Sequence, residues 1–156
     1  MADDHGHHGL VLIEMIVVLA VVGIVLGIGI WWSQRGPSAA AVAQVLARIV
    51  VVSRWSAVHD GNPHVLLASA SGAELSAVRG AFACNVPTPE RRVIWSVPPR
   101  TFVGWPAMGL AFAPDGRPRR CDGSGVGNTT IHIEGPRGDR AAVIVASLGR
   151  VRWERR

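Results

Sequence analysis

Gly9-Leu10-Val11-Leu12-Ile13-Glu14-Met15-Ile16-Val17-Val18-Leu19 opens the stretch whose reading decides the fold. It begins an apolar run from Leu10 to Trp32 in which Glu14 is the one charged residue. As a helix rising about 1.5 Å per residue, this run reaches roughly 34 Å, enough to cross the hydrocarbon of a bilayer. A secretory signal peptide has a shorter apolar core, usually about 7–15 residues. Ala41-Val42-Ala43 has the small-x-small form of a cleavage site, but it lies well past Trp32, and residues 1–9 hold no Lys or Arg. An anchoring helix is therefore the better reading. A carboxylate within the bilayer costs about 3 kcal/mol, so Glu14 needs either a partner or a function. The plainer alternative is a glutamate close to the interface, reaching towards water.

Outward from the run, 156 residues suffice for one compact domain beside the span. Apolar types make up 49% and charged types 17%, which excludes a disordered, charge-rich linker. Every one of the 16 basic residues is Arg; against 11 acids the formal charge is +5. Two cysteines are too few for a disulfide-stapled miniprotein or a four-cysteine zinc site. His5, His7 and His8 have the composition of a metal-binding tract. No metal site is assigned to them, because they fall in a segment better read as a disposable leader.

The pattern of glycine, four apolar residues, glutamate and a long apolar helix resembles the class III signal of type IV pilins and type II secretion pseudopilins. The resemblance implies that a prepilin peptidase cuts between Gly9 and Leu10 and that Leu10 is then N-methylated. It also implies that Glu14 is matched by the N-terminal amine of a neighbouring subunit. The charges agree: cleavage creates a cation in a medium of low dielectric, where its partner anion already waits. Leu10 stands where Phe is usual. The leader has no Lys or Arg while Arg35 follows the span, so the positive-inside rule alone puts the C-terminal part in the cytoplasm. The resemblance implies the reverse: N-terminus cytoplasmic, head periplasmic, one pass through the bacterial inner membrane. Gly23, Gly27 and Gly29 interrupt the span, and the first two fit a small-xxx-small helix contact or merely a loosened helix.

Gly36-Pro37 marks a kink or restart, with Pro37 as the first residue of a new turn. From Ser38 to His59 the period is helical. Val42, Val45, Leu46, Ile49 and Val52 share one face, with Gln44, Arg48 and Arg54 opposite. Val51 and Trp55 fall on the polar side, as contacts to another subunit or as ordinary exposed apolar residues. Asp60-Gly61-Asn62-Pro63 ends the helix. Strands are expected at 64–69, 92–97, 100–103, 109–113, 129–134, 140–146 and 149–153, separated by Pro98-Pro99, Pro114-Asp115-Gly116, Gly135-Pro136-Arg137-Gly138 and Leu148-Gly149. The plan is α+β: a long N-terminal helix, half membrane-spanning and half amphipathic, packed on an antiparallel β-sheet head, which is the pilin-like architecture. The expected divisions are a leader at 1–9, an assembly helix at 10–36, its amphipathic continuation at 37–61 and a β-rich head at 62–156. Cys84 and Cys121 lie in loop-like stretches; in a periplasmic head they pair, and otherwise they are two half-buried thiols.

The C-terminal half narrows the likeness. Leu110-Ala-Phe-Ala-Pro-Asp-Gly-Arg117, Thr129-Thr-Ile-His-Ile133, Ala142-Val-Ile-Val145 and Gly149-Arg-Val-Arg152 resemble, in that order, the GspH/FimT family of minor pseudopilins and minor pilins. Two functions follow from the resemblance. One is a structural subunit near the tip of a type II secretion pseudopilus, whose partners are other pseudopilins, the prepilin peptidase, the inner membrane and secreted exoproteins. The other is a FimT-like minor pilin that binds DNA during uptake. Residues 117–156 hold nine arginines against Asp122, Glu134, Asp139 and Glu154. The candidate DNA contacts are Arg150, Arg152, Trp153, Arg155 and Arg156, which interleave cations with a stacking aromatic. Neutralising four phosphates would give a log–log salt slope of about −3.6 on duplex DNA. An arginine-rich solvated edge strand is the competing reading of the same residues.

Catalytic chemistry finds little support. Cys121-Asp-Gly-Ser-Gly-Val-Gly127 has no lysine and leads into no helix, which argues against a phosphate cradle. There is no Gly-x-Ser-x-Gly elbow. His59, Asp60 and His64 are better explained by a helix-end turn than by a metal. The chain reads as a non-enzyme without a cofactor, and as a substrate of processing enzymes.

Overall fold

The computed structural model describes residues 6–33, 36–85, 91–106 and 109–156. The chain divides into two compact units, residues 1–35 and 36–156. The first contains α1 (Gly6–Ser33). All of its large apolar side chains from Ile13 to Ile28 for which a placement is described are exposed.

The second unit begins with α2 (Ala39–Asp60). Pro37 is not its first residue. Ser38 is the N-cap, with extended backbone (φ −67°, ψ 153°), and its hydroxyl accepts a bond from the Ala41 amide. Pro37 therefore stands one place outside the helix, and residues 39–60 form a separately capped helix. Gly61, with φ 63°, ends it in the left-handed conformation that glycine tolerates best.

Nine strands follow among the described residues: β1 (His64–Ala68), β2 (Glu74–Arg79), β3 (Arg92–Ser96), β4 (Phe102–Gly104), β5 (Leu110–Phe112), β6 (Pro118–Arg119), β7 (Thr129–Glu134), β8 (Arg140–Val145) and β9 (Val151–Arg155). They form two antiparallel sheets, ordered β3-β2-β1-β5-β6 and β4-β7-β8-β9, in place of the single sheet expected. β2 was not anticipated, because Glu-Leu-Ser-Ala-Val-Arg has little β-propensity. Its pairing with β1 is set by a turn in which the Gly72 amide donates to the Ser69 carbonyl. The strand expected at 100–103 starts later, since Arg100 adopts φ 61° and Thr101 closes a turn onto Pro98. The last strand is displaced to 151–155 because Gly149 belongs to the preceding turn, where its φ is 83°.

The main core lies between α2 and both sheets. Val42, Leu46 and Val50 of the helix meet Leu66, Leu110 and Phe112 from one sheet and Ile131, Ile133, Val143 and Val145 from the other. The buried face of α2 is rotated from the one the periodicity suggested. Val45 and Val52 are exposed, while Ala39, Ala43, Ala47 and Ala57 are buried. A helix seated against two sheets needs small residues where the backbones approach, so alanines take the contact and the bulkier valines turn outward. A smaller cluster of Val65, Leu67, Ala111 and Cys121 occupies the other face of the first sheet.

Candidate functional site

In α1, Gly9 and Leu10 belong to the helix by their backbone, as do His7 and His8, whereas His5 and Arg35 lie outside the described residues. Glu14 is exposed and has no ion-pair or hydrogen-bond partner among the described residues. The helix around it presents apolar side chains in every direction, and a Cβ added at Gly23 or Gly27 would meet nothing within 4 Å. Such a surface has no stable place in water; it belongs in lipid or among other helices. By composition α2 is also apolar enough to cross a bilayer, with a mean hydropathy of 1.4 over its best window. Its packing against both sheets and its charged Arg48, Arg54 and Asp60 identify it instead as the core helix of the head.

The outer side of α2 carries a second uncovered apolar strip. Val51, Trp55 and Val58, spaced i, i+4 and i+7, are all exposed, Trp55 to 68%. This spacing is that of a helix-to-helix seam. The first two are the residues that the sequence placed on the polar side.

The five candidate phosphate-binding residues do not form one cluster. β9 is an edge strand paired with β8 alone, and Arg152 lies opposite Ile144, Trp153 opposite Val143 and Arg155 opposite Ala141. Val143 and Ala141 belong to the core beneath α2, so Trp153 and Arg155 share the helix side of the sheet while Arg152 points to the outer side. Trp153 is 37% exposed. Two pairs of opposite charge lie at this edge: Arg140 pairs with Glu134 at 3.7 Å, and Arg156 donates from Nε to Glu154 at 3.2 Å. Arg150 and Arg152 are exposed. The result is an arginine-rich edge with two paired carboxylates, whose charge blunts strand-to-strand aggregation.

Gly149 itself has a packing role. A Cβ there would run into the Gly116 carbonyl oxygen and approach the Arg54 guanidinium, whose Nε donates to that same carbonyl at 3.0 Å. One arginine of α2 thus ties the Pro114-Asp115-Gly116 turn of the first sheet to the Leu148-Gly149 turn of the second. Two of the motifs that carry the family resemblance touch each other here.

A further tie was not legible in the sequence. The Asp139 carboxylate, at the end of the β7–β8 turn, accepts a bond from the Ala39 amide at 2.6 Å and so caps the first turn of α2 from a hundred residues away. Gly135 is required beside it, since a Cβ would strike the same carboxylate. The Gly-x-x-Gly-Asp spelling of this turn is the only local signal, and it does not announce a distant helix.

Cys84 and Cys121 are joined by a disulfide, with Cα atoms 4.8 Å apart. Cys121 is buried in the smaller cluster and Cys84 is exposed. In the loop after Cys121, the Asp122 carboxyl is held below the usual range by hydrogen bonds from Ser124 and by nearby Arg120. No group of three or more potential metal ligands occurs among the described residues.

Neither protein-family models nor the curated proteins yield a match to this sequence. Among solved structures, the chain is similar to the minor pseudopilin EpsH from the Type 2 Secretion System of Vibrio cholerae. The TM-score is 0.52 at 13% sequence identity, covering 76% of this chain and 98% of that one. Likeness at this identity is likeness of fold: a pilin-like α+β architecture.

Proposed function

We propose that this protein is a minor pseudopilin of a type II secretion system, a structural subunit of the GspH type near the tip of a periplasmic pseudopilus. The observation that carries the reading is α1, an apolar helix whose described side chains from Ile13 to Ile28 are all exposed and whose one carboxylate among them, Glu14, has no partner among the described residues, ahead of a pilin-like head. Prepilin peptidase cuts between Gly9 and Leu10, and Leu10 is methylated. The new amine of one subunit then neutralises Glu14 of another as helices leave the lipid and pack together. Gly23 and Gly27 permit close helix approach, and the Val51–Trp55–Val58 strip offers a second helix-to-helix contact on α2. The helix is held in the inner membrane with the head in the periplasm, a compartment suited to the Cys84–Cys121 disulfide. The partners are other pseudopilins, with secreted exoproteins as cargo. The division of the candidate DNA contacts between the two sides of β9 favours this reading over DNA uptake.

Three measurements test it. Intact-mass analysis of protein from cells should show loss of residues 1–9 and gain of one methyl group; an unprocessed N-terminus refutes the proposal. Glu14→Ala should insert into the membrane normally yet fail to enter filaments in a pull-down with the other pseudopilins. Normal incorporation would remove the role given to that carboxylate. In a duplex-DNA titration, Arg150→Ala with Arg152→Ala should change nothing; a flattened salt slope would instead favour the DNA-uptake reading.

A further inference from the structure

Between α2 and the β2–β3 end of the first sheet runs a groove of about 810 Å³. Its apolar surface includes Val52, Val93 and Ile94, all exposed. Arg48, Arg79 and Arg92 line it too, and no carboxylate does among the described residues. Asp60 reaches Arg79 at 3.6 Å from beside the groove, but it is also bonded to the His64 ring at 3.0 Å. Arg48 and Arg92 have no ion-pair partner among the described residues. Among the described residues the strand forming the outer wall, β3, pairs only with β2, in a ladder whose register shifts between Leu75 and Ser76, so its second row of backbone donors and acceptors has no partner among them. An edge strand carrying Val93 at 51% exposure and Ile94 at 37% is a pairing hazard unless something covers it.

We infer that this groove and the open edge of β3 together form a docking site for an extended acidic segment of another protein, which adds to the sheet as a further strand. Main-chain bonds to β3 supply the generic affinity. Alternate side chains of the added strand fall on the α2 side, where carboxylates meet Arg48 and Arg92, and those between fall on the opposite side, where apolar ones cover Val93. The charge selects the occupant: two unpaired guanidinium groups above an apolar floor disfavour a basic or purely apolar segment. The site is on a different face of α2 from the Val51–Trp55–Val58 strip, so it stands whether or not the chain is a filament subunit.

The test uses the full chain in neutral detergent micelles and the capped, fluorescein-labelled peptide EVEIE, followed by fluorescence anisotropy at low salt. Saturable binding is expected, lost in the KVKIK peptide and in EVPIE, whose proline removes a ladder donor. The double variant Arg48→Ala with Arg92→Ala should weaken binding about five- to tenfold while leaving the circular dichroism spectrum unchanged. Absence of binding, equal binding of the basic peptide, or binding indifferent to the double variant overturns the proposal. So does sedimentation showing that a second copy of the chain occupies the groove, revealed by a dimer that the double variant dissociates.

Discussion

Asp139 and Gly149 show what single residues contribute to this head. The Asp139 carboxylate meets the first exposed amides of α2, where the helix dipole favours an anion. Asp139→Ala should therefore destabilise the head by about 1 kcal/mol, the usual value of an N-cap, read as a lower urea midpoint with unchanged slope. Gly149 combines a left-handed backbone with contact against the Gly116 carbonyl. Gly149→Ala should cost more, about 1–3 kcal/mol, because backbone strain is added to a clash that the rigid turn cannot relieve. Arg54→Ala should lower the melting temperature as well, by removing the bond to Gly116. If Gly149→Ala proved harmless, the contact between the two turns would carry no energetic weight.

At the scale of elements, α2 supplies the shared wall of the core, and Leu46 is fully buried within it. Leu46→Ala should cost about 2–5 kcal/mol by calorimetry. The disulfide closes a 37-residue separation, for which chain entropy gives about 4 kcal/mol; replacing both cysteines by serine should lower the melting temperature accordingly. Much of this level is legible in the sequence. The helix ending at Asp60 and the strands at 129–134 and 140–145 follow from periodicity and from turns rich in glycine and proline. What periodicity could not convey is which side of α2 is buried, since valines occur nearly all round it and the choice is made by the spacing of the sheets. Nor could it reveal β2, whose strand character comes from its neighbours β1 and β3 and not from its own residues. At the arginine edge the pleat separates Arg152 from Trp153, and the strand continues past Trp153 and carries Arg155 to the helix side. Composition had grouped these cations by proximity in the chain; the pleat divides them.

For the whole molecule, the two compact units imply separable behaviour. A fragment beginning at Gly36 should fold into a soluble head with the circular dichroism of a mixed α/β domain and a cooperative thermal transition. The full chain should need detergent, because the large apolar side chains of α1 described from Ile13 to Ile28 are exposed. A fragment that remained molten would mean that the core assigned to α2 and the two sheets is incomplete without the first helix. The likeness to a known pseudopilin over 98% of that structure belongs to this scale as well, for it is carried by arrangement at 13% identity.

The two sheets share no ladder of hydrogen bonds; each leans on α2, and near its ends that helix is stapled to the turns by Asp139 and Arg54. A tug delivered through Gly36 would enter beside the first of these staples and run lengthwise along the helix. It would have to slide α2 over both sheets at once, the direction in which interlocked side chains yield last.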